Sequence, residues 1–171
     1  MNMKRLFLLV IFIILTVSAW SLDFMAIVNR ATPYVLLRPS VPKEADADGI
    51  TWANRVKDKN GKTNYVEQWY FAANNNGVFA IQFVVYDKDK NKLNSTFKDM
   101  ERQAVDNGFI INRNYSTDEG TAYQKEGILF IFSKKTEGPL KPTEFNAEKN
   151  GVDGLYYQGI FITTIVVAMQ W

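Results

Sequence analysis

The chain contains no cysteine and no histidine, and each absence closes off chemistry. Without cysteine there is no disulfide, so the protein must be held together by its core alone. It also has no N-terminal cysteine on which to carry a lipid anchor. Without histidine the usual general base at neutral pH and the commonest metal ligand are missing. Triads of the Ser-His-Asp or Cys-His type are therefore impossible. No phosphate-cradling glycine loop and no nucleophile elbow is present, and Gly151-Val152-Asp153-Gly154 reads as a loop. These absences predict a protein that is not an enzyme, with no catalytic residue, no metal and no cofactor.

Charge of one sign is also lacking once the first residues are set aside. Residues 1–21 read as a cleaved export signal: Lys4 and Arg5 form a positive start, an apolar run follows from Leu6 to Val17, and small residues lead to Ser21. Val17-Ser18-Ala19 and Ala19-Trp20-Ser21 both fit the small-x-small cleavage pattern. The run is short for a retained membrane anchor. Its removal takes two positives from 20 Lys+Arg and leaves 18 against 18 Asp+Glu. A neutral mature chain has no global field for nucleic acid or anionic lipid, so a nucleic-acid partner is not expected. Short leader, no disulfides and abundant Lys, Asn, Ile and Phe together point to a bacterial envelope protein, periplasmic or at the cell surface. Residues 22–171 are expected to form one domain.

The remaining pattern is mostly period two. From Val78 to Tyr86, Phe79, Ile81, Phe83 and Val85 share one face, and Ala80, Gln82, Val84 and Tyr86 share the other. Asn74-Asn75-Asn76-Gly77 and Asp58-Lys59-Asn60-Gly61 are hairpin turns joining this strand to those at 62–73 and 50–57. A helix is predicted after Phe97, with Phe97, Met100, Ala104 and Val105 at helical spacing, Thr96 as cap with Asp99 reaching back, and Gly108 at its end. Strands are predicted at 24–38 (one or two, split near Pro33), 93–97, 109–114, 123–134 and 155–171, with a long loop at 137–153. The uncharged 155–171 segment suits a central strand covered on both sides; its terminal Trp171 also suits the last strand of an outer-membrane barrel. The expected fold is all-β: an antiparallel meander barrel or sandwich of about eight strands with one short helix.

Asp87-Lys88-Asp89-Lys90-Asn91 imitates the start of a calcium loop, but Lys92 and Lys98 stand where glycine and a bidentate glutamate are needed, so it reads as a solvated turn. The aromatic residues are the better candidates. Trp52, Trp69, Tyr70 and Tyr86 could line an apolar site, with tyrosine hydroxyls as polar handles. Gly49-Ile50-Thr51-Trp52, then Gln68-Trp69-Tyr70-Phe71, then Asn76-Gly77-Val78-Phe79 resemble the small bacterial lipocalin-like (calycin) β-barrel domains. That resemblance implies a barrel with an early tryptophan and a ligand in its mouth. The expected function is an exported, non-enzymatic binding module for a small apolar or amphipathic ligand. The alternatives are an interaction subunit of a periplasmic or cell-surface assembly, with an envelope protein as partner, or a small outer-membrane β-barrel associated with the membrane.

Overall fold

The computed structural model describes residues 22–165. The leader read at 1–21 and the end of the chain with Trp171 lie outside the described residues. The described residues are mostly β, with seven antiparallel strands in one sheet and three α-helices. In chain order these are α1 (Phe24–Leu37), β1 (Ile50–Lys57), β2 (Thr63–Asn74), β3 (Gly77–Asp87), α2 (Lys90–Asp106), β4 (Ile110–Ile111), β5 (Gly120–Lys125), β6 (Ile128–Ser133), α3 (Ala147–Asn150) and β7 (Tyr156–Thr164). A single 3-10 turn, Glu144–Asn146, leads into α3. The strand order is β1-β2-β3-β7-β6-β5-β4, so β7 inserts between two hairpin units and lies at the centre, as its uncharged sequence requires. The sheet does not close, and β1 and β4 are its edges. Among the described residues no helix is long and apolar enough to cross a membrane.

The two turns form where asparagine and glycine place them. Asp58 Oδ1 accepts from the backbone of Asn60 and Lys62, and Asn74 Oδ1 accepts from that of Asn76. Gly77 sits at φ 93°, where a Cβ would lie 1.8 Å from the Arg38 carbonyl oxygen, so only glycine lets this hairpin meet the end of α1.

Period two then sorts the sheet into two faces. One carries Trp69, Phe71, Ile81, Phe83, Val85, Phe130, Phe132, Ile160 and Ile162 and is covered by α1 and α2. Phe24 of α1 packs edge-on to Phe109 and Phe130, with centroids 5.1 and 5.5 Å away. The other face carries Val66, Val84 and Tyr86 and is covered by the segment between β6 and β7, through Leu140, Ala147, Val152 and Leu155.

Several local expectations are corrected. The 24–38 segment is a helix and not a pair of strands. Phe24, Ile27, Ala31 and Val35 are buried on one stripe, Asp23 caps the start, and Gln103 holds Phe24 N and the Leu22 carbonyl. Pro33 lies inside it, on the exposed side. The second helix starts earlier than Thr96: Asp89 accepts from Asn91 N and Lys92 N, so residues 93–97 are helical with Leu93 buried. Asp99 instead pairs with Arg102. Asp87 is not solvated; it is buried, ion-paired to Lys92 at 3.1 Å, and accepts from Asp89 N. The long loop at 137–153 carries both the 3-10 turn and α3.

Candidate functional site

Because the 137–155 segment covers only part of its sheet face, a cleft of about 340 Å³ remains beside it. Its floor is the alternation of four strands: Ile50 opposite Tyr70, Tyr70 opposite Gln82, with Val84, Tyr86 and, on β7, Tyr157 continuing the same face. Its wall is Leu140, Phe145, Asn146 and Asn150, and Asp48 stands at the end near β1.

The floor is organised by a short hydrogen-bond chain. Tyr70 donates to Gln68 Oε1 at 2.9 Å, and the Tyr70 and Tyr86 hydroxyls are 2.9 Å apart. Gln68 is fully buried, and its Nε2 has no hydrogen-bond partner among the described residues. Burial pushes the Tyr86 phenol well above its ordinary value, helped by its neighbours Tyr70 and Tyr157. Burial raises Tyr70 as well, with Asp46 adding to it, while the hydrogen bond from Tyr86 pulls the other way. Tyr157 is raised by burial, then by Glu137 and Glu144. All three are therefore neutral hydroxyls at physiological pH.

The wall contributes a second aromatic set. Tyr157 lies 6.0 Å from Tyr86 on one side and 6.0 Å from Phe145 on the other, the latter edge-on. Phe145 is 71% exposed, and both Phe145 and Asn146 have left-handed backbone, φ 49° and 53°. Left-handed conformation costs a non-glycine residue about 1–2 kcal/mol, which the seating of Leu140, Ala147 and Val152 must outweigh.

Of the four residues expected to line a site, the structure brings two together. Tyr70 and Tyr86 share the cleft floor. Trp69 is one residue away from Tyr70 and so faces the helices, buried 4.7 Å from Phe83 with the Arg30 guanidinium over its ring. Trp52 shares the cleft face but is exposed outside the lining, its ring 3.9 Å from the Arg55 guanidinium. Arg55 also donates to the Asn150 carbonyl at 2.9 Å, tying β1 to the end of α3. Sequence reasoning missed Phe145, Asn146 and Asn150. The one signal for them was a lone aromatic, Phe145, in an otherwise polar loop. No family model, curated protein or solved structure matches the chain.

Proposed function

We propose that the protein is an exported, non-enzymatic binding module of the periplasm or cell surface, and that the cleft over β1, β2, β3 and β7 holds a small apolar or amphipathic ligand. The observation that carries this reading is Phe145, a large aromatic side chain held mostly exposed on left-handed backbone at the rim of an aromatic-floored cleft. Its edge-on contact with Tyr157 leaves most of the ring uncovered, and contact with a ligand would cover it. The volume suits a compact molecule rather than a long chain. Export is supported by the leader pattern of residues 1–21. The resemblance of the Trp52, Trp69-Tyr70-Phe71 and Asn76-Gly77 elements to lipocalin-like domains points the same way.

The test is native mass spectrometry of the mature chain, produced by export and purified without detergent. A reproducible added mass on the wild type, lost or reduced in a folded Phe145→Ala variant, supports the reading. A bare wild-type chain contradicts it.

The interaction-subunit alternative draws on a different place. β4 is an edge strand whose Ile110 and Ile111 are exposed, with Val105 exposed nearby in sequence. An apolar edge invites strand pairing with a partner. The centre of the uncharged segment is unsuited to that role, because β7 is paired on both sides by β3 and β6.

A further inference from the structure

The class of ligand follows from which hydrogens the cleft has to give. Tyr70 has one hydroxyl proton and donates it to Gln68 Oε1, so the proton between the two tyrosines belongs to Tyr86. Both hydroxyls are thereby committed as donors, and what they retain toward a ligand is acceptor capacity. Asp48 is the one charged side chain among the described residues that line the cleft. Its carboxylate takes no hydrogen bond or ion pair from the described residues. Three further carboxylates act on the floor: Asp46 on Tyr70, and Glu137 and Glu144 on Tyr157. Arg55, the cation that reaches the end of α3, is engaged with the Trp52 ring and the Asn150 carbonyl and does not line the cleft. The Tyr157 hydroxyl and the amides of Gln82, Asn146 and Asn150 can both donate and accept, so they do not discriminate.

An acceptor-ended, negatively biased cleft with four aromatic rings disfavours an anion and favours a cation, which aromatic faces attract through their quadrupole. We propose that the cleft selects an organic ammonium with a small apolar substituent, its charge held among Tyr70, Tyr86, Tyr157 and Phe145 with Asp48 at the rim. This rests on the binding-module reading above and narrows it. The anionic amphiphile, such as a fatty-acid carboxylate, is the class it rejects, since that headgroup meets the Asp48 charge and the Tyr70 and Tyr86 oxygens, whose protons are already given away.

Isothermal titration of the mature chain with three probes of one shape tests it: benzyltrimethylammonium, benzyl alcohol and benzoate. The ammonium should bind about tenfold or more tighter than benzoate, and also tighter than the alcohol. Asp48→Asn should then narrow the preference for ammonium over alcohol by roughly threefold, the size of an exposed charge contribution. Benzoate or the alcohol binding as tightly as the ammonium overturns the cation assignment and leaves the binding-module reading standing. Binding of none of the three overturns both.

Discussion

Replacing Tyr70 by phenylalanine should destabilise the protein more than the same change at Tyr86, although the two hydroxyls touch each other. Both substitutions keep the ring and remove one oxygen, so they isolate the hydrogen-bond chain. Removing the Tyr86 hydroxyl deletes one bond, and Tyr70 keeps its donor contact to Gln68; the cost is about 1 kcal/mol. Removing the Tyr70 hydroxyl deletes two bonds. It also strands the Gln68 carbonyl in a fully buried position, where Nε2 already has no partner. Two bonds at about 1 kcal/mol each, with roughly 1 more for the stranded carbonyl, give a cost of about 3 kcal/mol. With a urea slope of about 2 kcal/mol/M, the midpoint should fall by roughly 0.5 M for Tyr86→Phe and roughly 1.5 M for Tyr70→Phe. Equilibrium urea unfolding by near-UV circular dichroism measures both. Equal shifts, or a larger one for Tyr86→Phe, would refute the direction of the chain and with it the argument that the cleft offers acceptors.

Phe24→Ala should cost about 3–5 kcal/mol in the same assay, since this ring is fully buried against Phe109, Phe130 and Phe132; a change below 1 kcal/mol would mean that α1 does not dock. Gly77→Ala should cost roughly 2 kcal/mol or more because its Cβ meets the Arg38 carbonyl. Gly61→Ala, with open space around it, should cost only about 1, and thermal melts of the pair read the difference. The pH dependence follows from Tyr65, Tyr70 and Tyr86, whose phenols burial raises above the ordinary value of 10.0. The folded state holds these protons more tightly than the unfolded chain, so their contribution is fully present below about pH 10 and is lost as pH rises beyond it. Tyrosinate absorbance should therefore appear together with loss of near-UV circular dichroism. Full ionisation near pH 10 in a still-folded protein would contradict that burial.

The sheet was legible because its strands are β-branched and aromatic runs bounded by Asn-Gly turns, and parity then assigns each residue a face. Phe83 and Val85 lie under the helices and Val84 and Tyr86 under the loop segment, as their parity demands. The turns were legible because Asp58 and Asn74 close them with their own side chains. α1 was not, because Pro33 reads as a break while the 3-4-4 spacing of Phe24, Ile27, Ala31 and Val35 depends on a docking surface made by distant strands. Tyr70 and Tyr86 were within reach of sequence reasoning, being aromatic residues on parity-matched positions of adjacent strands. Trp69 shows the weakness of grouping aromatics by proximity in sequence, since a single step in a strand reverses the face. Phe145 was visible only as a lone aromatic in its loop: its place depends on how Leu140, Ala147 and Val152 seat the segment, and on backbone angles that phenylalanine rarely adopts.

The most direct test of the cleft as the ligand site is a two-dimensional NMR titration of the isotope-labelled mature chain with benzyltrimethylammonium. The account predicts saturable shifts concentrated at Ile50, Tyr70, Tyr86, Phe145, Asn146 and Tyr157, with α1 and α2 unmoved. Shifts centred on the helical face, or none at millimolar probe, would contradict it.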